Sequence, residues 1–426
     1  MRIAIISNNF FQYDAIGKYI QSIIKALPEA RFDLYLETNA NFPQLPENTR
    51  VQVNYFIKRL PCLAWYMLEW KIGKRIKLIE TIFNPLRNLI IYFLAQSLLK
   101  KKYDFVFLQW GLYFNGLYLF QALAKIRKNK KPILIFDYHG TTPPGFIDSP
   151  GKKMIAKRSM EELHKVADKA DLCLVRSEFI QKELQKYANP KKIAILHLPI
   201  FKKKNILTVQ QPSKSINLLY IGRIAKHKNL EIVLKAISIL QNLDINFNII
   251  GNFSRSSLRA EKQRLETVAQ ELKVYDKINF IGEVKGIELK KYYQNSQIFI
   301  IPSLHEGFCL PALDALAYAL PVIYSNTGAL PEIINSAGLS FNPDDAQDLA
   351  KKISMLINNA NLQEELKNKG LQKARQYNWR SFKEKLVFML EEPEKMLLED
   401  AINVNRVRRN FSSIRQNNKK FIPIKK

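Results

Sequence analysis

Cysteine is scarce in this chain. It occurs three times in 426 residues, at Cys62, Cys173 and Cys309. That is too few and too scattered for a disulfide framework or a metal site, so reduced, buried thiols and a cytosolic setting are expected. Long apolar runs are missing as well. The most apolar window, "NLIIYFLAQSLL" from Asn88 to Leu99, falls short of the about 20 residues that cross a bilayer. No transmembrane helix is expected. The opening "MRIAIISNNFF" has no basic leader before its apolar run and no small-residue cleavage site. It reads as a first β-strand and not as a signal peptide. Acidic residues are few, 38 against 66 basic ones, for a net charge of +28. Such a field favours anionic partners: nucleic acid, anionic lipid or phosphorylated substrates. No zinc-ligand set, RNA-recognition signature or helix-turn-helix pattern supports the first of these, so no nucleic-acid partner is expected.

Apolar residues make up 47% of the chain, ample for two cores. Short β-type runs alternate with helical patterns. "RIAIIS", "RFDLYL", "DFVFLQW", "ILIFDYHG" and "LCLVRS" form a first series, and "INLLYIGR", "FNIIG", "INFIG", "IFIIPS" and "PVIYS" a second. Strand–helix alternation implies right-handed βαβ units and parallel sheets. Two series imply two Rossmann-like domains, 1–205 and 206–378, joined through the polar stretch Phe201 to Ser215.

The first series is interrupted between Lys58 and Lys102, where ten basic residues face two acidic ones. Trp65, Leu68, Ile72, Ile76, Ile79 and Phe83 stand there at helical spacing, with Lys71, Lys74, Arg75 and Lys77 mostly off the stripe. A basic amphipathic helix of this kind suits an anionic membrane surface; it equally suits an ordinary helix with a core face and a solvated basic face. From Ala401 to Lys426 there are eight basic residues and no acidic one, which reads as a basic tail and a second electrostatic anchor.

In open parallel sheets, ligands sit beyond the carboxyl ends of the strands. Arg223 ends the strand "NLLYIGR" and Lys228 opens the next helix, so both can reach one anion, Arg as a fork of donors and Lys as a mobile point charge. Gly251 follows "NII", where the backbone can turn tightly. After "FIIPS" comes "HEGFCLPALDALAYALPV". Glu306 is expected on a loop, Pro311 in the first turn of a helix, and Asp314 about one turn in. The free N–H groups of that turn form an anion site. Two acids flanking such a site make sense for a ligand with hydroxyls on both sides of a phosphate group, which is the layout of a nucleotide sugar. As simpler readings, Arg223 and Lys228 are solvated charges and Asp314 is an acid favoured near a helix N-terminus.

From about Ile216 to Trp379 the ordered set "YIGRIAKHKNLEIVLKAI", "IIGNFS", "FIGEV" and "IFIIPSLHEGFCLPALDALAYALPVIYSNTGALPEII" resembles the retaining glycosyltransferases of family 4, which have the two-Rossmann GT-B fold. The resemblance implies an α/β chain whose two parallel sheets face each other across a cleft. It implies transfer of a sugar from a nucleotide donor with retained anomeric configuration. Carried over, the diphosphate-binding cations fall on Arg223 and Lys228. The acid contacting the donor sugar falls on Glu306, and the ribose-binding acid on Asp314. Gly307, Phe308, Cys309 and Leu310 would line the sugar and phosphate, and Val284 would lie near the base. Where the family usually has Glu this chain has Asp314, one methylene shorter. Where it has Gly this chain has Cys309, which would crowd the sugar pocket, and Ala319, a mild packing change. No Asp-x-Asp triplet occurs. That fits an enzyme without metal or other cofactor, in which the two cations and the helix end neutralise the leaving diphosphate.

The first half resembles the family more loosely. "YDAIGKYIQSIIKAL" looks like its first loop and helix, with Asp14 and Ala15 in place of a Gly pair and Gly17 retained on the donor side. In "FDYHGTTPP", His139 would face the donor sugar; as an alternative it is a turn histidine bonded to backbone. Ser177 in "VRSEFIQKEL" matches a family segment and reads equally well as a helix N-cap. "YNWRSFKEKL" resembles a closing helix, 379–400, that returns to the first domain. The catalytic set would then be Glu306, His139, Arg223 and Lys228. The expected function is transfer from a UDP- or GDP-sugar to a glycan or lipid-linked acceptor, in the cytoplasm or on the inner membrane face. The alternatives are a non-transferring GT-B protein, epimerase-like or an inactive nucleotide-sugar binder, and, more remotely, a basic nucleic-acid-binding protein.

Overall fold

The computed structural model describes residues 1–8, 15–36, 51–55, 77–111, 116–200, 215–253 and 256–391. Asp14, Cys62, Trp65, Ile72, Ile76, most of the Phe201–Ser215 join and the tail from Ala401 lie outside the described residues.

The first sheet contains β1 (Arg2–Ser7), β2 (Arg31–Leu36), β3 (Val51–Tyr55), β4 (Phe105–Trp110), β5 (Ile133–Tyr138), β6 (Leu172–Val175) and β7 (Ile193–Ile195). Their order across the sheet is β3-β2-β1-β4-β5-β6-β7, and every neighbouring pair is parallel. The second sheet contains β8 (Ile216–Ile221), β9 (Ile245–Ile250), β10 (Ile278–Gly282), β11 (Ile298–Ile301), β12 (Val322–Ser325) and β13 (Gly338–Phe341). Its order is β10-β9-β8-β11-β12-β13, again all parallel. The near-continuous apolar strands follow from this. Ile3 to Ile6 and Phe299 to Ile300 are covered by helices on both faces and have no solvent side to make polar.

Sequence patterning did not anticipate β3, β7 and β13. All three are edge strands. "VQVNY" and "GLSF" lack a continuous apolar run, and "IAI", though apolar and buried, is only 3 residues long, too short for a hydrophobicity pattern.

Each sheet has its own core, one built around Val106, Leu108, Trp110 and Phe136, the other around Leu218, Phe247, Ile249 and Ile300. A third buried cluster runs from Ile5 and Tyr19 of the first domain to Phe308, Leu316 and Leu386 of the chain's second half. His197 stacks on Phe308 at 5.7 Å, and Tyr377 meets the same ring edge-on at 5.8 Å. The helix Trp379–Glu391 returns to the first domain, with Phe382 edge-on to Tyr19 at 6.1 Å. Ile200 N–H donates to the Tyr377 carbonyl at 2.8 Å, so the outgoing and returning crossings are tied side by side.

In the basic segment, residues from Lys77 to Lys100 form one helix. Ile91, Ala95 and Leu98 turn inward, whereas Leu89, Tyr92 and Phe93 are exposed. Among the described residues no helix is long and apolar enough to cross a membrane.

Candidate active site

In both sheets the strand order reverses between two central strands, β1 and β4 in the first, β8 and β11 in the second. The crevice beyond the carboxyl ends at such a reversal is the ligand position in open α/β sheets. The residues singled out in the second half gather at the β8/β11 reversal. Arg223 follows β8 and is exposed. Its carbonyl accepts from the Tyr220 hydroxyl at 3.0 Å, which pins the turn. Lys228 closes a short 3-10 turn, Lys226–Lys228, and is nearly buried. Its Nζ lies 2.6 Å from Glu306 Oε1. The same oxygen accepts from Ser303 Oγ at 2.9 Å. The loop after β11 therefore presents a carboxylate already held by a cation and a hydroxyl.

The Glu306 backbone is fixed too. Its carbonyl accepts from Ala329 N at 2.9 Å. Gly328, at φ +60°, packs so closely that a Cβ there would stand 2.6 Å from the Glu306 carbonyl oxygen. Only glycine meets both conditions. Gly251 has a similar steric duty: a Cβ on it would lie 1.9 Å from the Gly222 carbonyl oxygen. The absence of a side chain lets the ends of β8 and β9 close up.

The helix Leu310–Ala317 begins with Pro311 in its first turn, as its sequence predicts. Cys309 stands in the N-cap position at φ +69° and gives no side-chain cap. The consequence of replacing Gly here is thus first a backbone one, since a non-glycine residue in left-handed conformation carries about 1–2 kcal/mol of strain. Burial, with the Glu306 charge next in size, pushes the Cys309 thiol up from its ordinary range. Ala319, at φ +53°, is the same case; the expected packing change is a conformational one. The Phe308 side chain turns into the core against His197. Leu310 and Val284 are partly buried against the same cluster. Asp314 is half-buried, one turn into the helix, and its charge helps raise Tyr293, after burial.

The first domain meets this loop directly. Ser177 Oγ donates to the Gly307 carbonyl at 2.8 Å and accepts from Ile180 N at 3.2 Å. Ser177 is both the cap of the helix Glu178–Gln185 and a clasp on the donor-side loop. A Cβ on Gly307 would come 3.3 Å from the His139 carbonyl, so His139 and Glu306 belong to one neighbourhood. His305 Nε2 lies 3.2 Å from Glu183 Oε1, and Glu332 accepts from Glu178 N at 3.0 Å and Phe179 N at 3.3 Å. Sequence reasoning missed Ser303, Gly328, Glu183 and Glu332. Gly328, Glu183 and Glu332 are defined by contacts made across the fold, whereas Ser303 stands three residues before Glu306, a local spacing that went unread.

The His139 side chain is 8% exposed. Burial lowers its pKa to about 3, so the ring is neutral. Its Nε2 is 2.7 Å from Gln109 Oε1, and Tyr19 lies edge-on at 5.2 Å. His227, just before Lys228, is also lowered to about 3, first by burial and then by Lys228 and Arg223. Gly17 is buried in the first turn of the helix Ala15–Ala26 that follows β1.

Known proteins bear on this geometry. Residues 202–373 match the family model described as glycosyl transferases group 1. The sulfoquinovosyl transferase of Arabidopsis thaliana is 26% identical over 284 residues, 62% of this chain and 53% of its own length. O-antigen chain mannosyltransferase B of Escherichia coli is 26% identical over 236 residues, 52% of this chain and 61% of its own. The chain thus spans little more than half the length of these relatives. Among solved structures, Anabaena HepE, captured with UDP and glucose, superposes with a TM-score of 0.69 at 12% identity, covering 91% of this chain and 99% of that one. At that identity the likeness concerns the fold alone. Taken with the strand orders, these matches show a GT-B fold, in which residues 202–373 are the part that matches the glycosyl transferases group 1 family.

Proposed function

We propose that the protein transfers a sugar, with retained anomeric configuration and without a metal, from a nucleoside diphosphate sugar to a glycan or lipid-linked acceptor. The observation that carries the reading is the Lys228–Glu306–Ser303 cluster at the β8/β11 reversal, beside the N-terminus of the helix Leu310–Ala317. Glu306 neutralises Lys228. An arriving diphosphate brings more negative charge than one carboxylate and competes for Lys228, with exposed Arg223 as a second cation. Glu306, still held by Ser303, is then free to accept from a sugar hydroxyl. When the bond from the anomeric carbon to the phosphate oxygen breaks, the electron pair goes to the diphosphate. Arg223, Lys228 and the helix N–H groups are already in place to receive that charge. The acceptor oxygen takes the vacated position on the same face, and its proton passes to the departing phosphate oxygen.

HepE with UDP and glucose, and relatives named for mannosyl and sulfoquinovosyl transfer, support a nucleotide-sugar donor and leave the sugar and base open. A panel of UDP- and GDP-sugars tests the donor, since a ligand at 100 times its dissociation constant adds about 2.7 kcal/mol of stability. No thermal shift with any of them would overturn the reading. The product's anomeric coupling by NMR tests retention. Full activity in EDTA tests metal independence; loss that only Mn²⁺ or Mg²⁺ restores would refute it.

The +28 charge and the exposed Leu89, Tyr92 and Phe93 of a helix that ends at Lys100 support peripheral attachment to the inner, anionic face of a membrane. Vesicle co-sedimentation at low salt is the check. Equal, negligible pelleting with anionic and neutral lipid would leave a soluble acceptor.

A further inference from the structure

Three buried polar residues at the carboxyl ends of β4, β5 and β6, Gln109, Asp137 and Arg176, form a chain behind His139. Arg176 and Asp137 are an ion pair with almost no exposed surface. Arg176 Nη1 donates to the Leu196 carbonyl at 2.6 Å, and its guanidinium lies 3.8 Å over the Tyr19 ring. Asp137 Oδ2 is 3.0 Å from the side-chain nitrogen of Gln109. Gln109 Oε1 is 2.7 Å from His139 Nε2.

The chemistry of these groups orients the chain in one direction. A cation beside Asp137 keeps it a carboxylate, and a carboxylate only accepts. The Gln109 amide must therefore turn its NH2 toward Asp137 and its oxygen toward His139. An amide oxygen also only accepts, so the proton of the neutral imidazole is on Nε2. Nδ1 is left as a lone-pair acceptor, and it is the one ring nitrogen not committed to this chain. With the ring's pKa lowered to about 3, no second proton is present at neutral pH.

We propose that Gln109, aimed by the buried Asp137–Arg176 pair, is a positioning residue that locks His139 in the Nε2-protonated tautomer and so offers Nδ1 to a hydroxyl of the transferred sugar. The hydroxyl contact rests on the proposed sugar transfer; the tautomer does not. A group that can only accept, such as a carboxylate or a keto oxygen, is disfavoured at that point of the donor, whereas a hydroxyl is favoured. The residues come from three different strands, and no sequence spacing links them.

Two-bond 1H–15N spectra of the full chain with labelled histidine at pH 7.5 read the tautomer directly. The His139 signal is identified by its loss in His139→Gln. The expected parent pattern is protonated Nε2 and bare Nδ1. Gln109→Leu removes the acceptor and should give a mixture of tautomers, with kcat lower by roughly tenfold, the worth of one hydrogen bond, and nucleotide affinity within twofold. Gln109→Glu can accept from His139 with one oxygen and share a proton with Asp137 through the other. It should restore the parent tautomer and bring kcat back to within threefold. Three results would each overturn the proposal: an Nδ1-protonated parent, a Leu variant with unchanged tautomer and kcat, or a Glu variant that behaves like Leu, which would mark Gln109 as packing only. If the parent turns over no nucleotide sugar, the sugar-transfer reading fails, and the tautomer pattern across the three proteins still decides for or against Gln109.

Discussion

The two domains use the same sheet topology to build opposite kinds of site. In the second domain, the functional groups sit within short stretches of chain. Arg223 and Lys228 are on one turn, and Ser303, Glu306 and the helix start at Leu310 follow one strand. In the first domain, His139 is supported by Gln109 from β4 and Arg176 from beyond β6. An anion site can be made from one turn and one helix end because backbone N–H groups supply much of it. Orienting a neutral imidazole takes a dedicated acceptor, and a dedicated acceptor comes from wherever a strand happens to end. One site is local in sequence and the other is local only in space.

The sharpest test of this contrast separates charge from hydrogen bonding in the second domain. Glu306→Ala removes the carboxylate proposed to face the sugar and leaves both cations. Its kcat should fall by about 10²–10³, the scale of losing a single preorganised catalytic contact, while nucleotide affinity holds or rises because Lys228 is released. Lys228→Ala should instead weaken nucleoside diphosphate binding, by roughly tenfold or more, and leave Glu306 without its cation. Steady-state kinetics and nucleotide titration on both variants check this. Identical profiles would mean the pair acts as one structural ion pair and not as two functional groups.

Next in size is Gly328→Ala. The added carbon would meet the Glu306 backbone at 2.6 Å in a left-handed conformation, so the loop must move. We expect a loss of about 2–4 kcal/mol, combining strain and overpacking, together with reduced turnover, measured by urea unfolding and kinetics. Parent-like stability would show that the Glu306 loop yields easily and is not preorganised.

Acid sensitivity comes third and reports on both domains together. His139 and His227 are lowered to about 3 and His197 to about 4, in each case chiefly by burial. Their unfolded value is about 6.5. Between these limits the unfolded chain binds more protons than the folded one, so stability is complete above about pH 6.5 and declines as the pH falls toward the folded values. Each histidine contributes up to about 1.4 kcal/mol per pH unit in that window. Urea midpoints at pH 7, 6 and 5 should drop progressively, and His197→Phe should flatten the decline. A midpoint independent of pH over that range would contradict neutral, buried imidazoles.

How far the fold and site could be read in advance follows the same division. The central strands were legible because burial on both faces makes them continuously apolar, as in "RIAIIS" and "IFIIPS". The edge strands β3 and β13 were not, because "VQVNY" and "GLSF" carry no such run, and β7 was not, because "IAI" is only 3 residues long; the edge strand β10, "INFIG", was legible. Lys228 and Glu306 were each placed in advance at strand ends of one sheet, Lys228 toward an anion and Glu306 toward a sugar, but their ion pair was not read. Gln109 lay in plain view at the end of "FVFLQW". Nothing in that stretch reveals that it faces a histidine 30 residues away. Ser177 was legible as a cap, since capping is local, but its hold on the Gly307 carbonyl 130 residues on was not.

The smallest effect we expect comes from a residue at which this chain departs from its resemblance. The helix Leu310–Ala317 ends with Leu320 N–H donating to the Ala315 carbonyl at 3.0 Å and Ala319 N–H to the Leu316 carbonyl at 3.1 Å. That pair of bonds is a Schellman motif, whose penultimate residue takes a left-handed conformation and is most often Gly. Here it is Ala319, at φ +53°. Leu320 is buried and completes the motif's apolar contact, so the turn is retained in spite of the misfit. Ala319→Gly removes the clash of Cβ with the following carbonyl, worth about 1–2 kcal/mol, and gives back part of that as extra freedom of the unfolded chain. The net gain should be about 0.5–1 kcal/mol, with kinetics unchanged because the residue lies at the far end of the helix from Glu306. Ala319→Val, branched at Cβ, should lose stability instead. Paired urea curves decide it. A Gly variant no more stable than the parent would mean that the turn relaxes to suit alanine, and that the second domain is less tightly specified at this end than at the site.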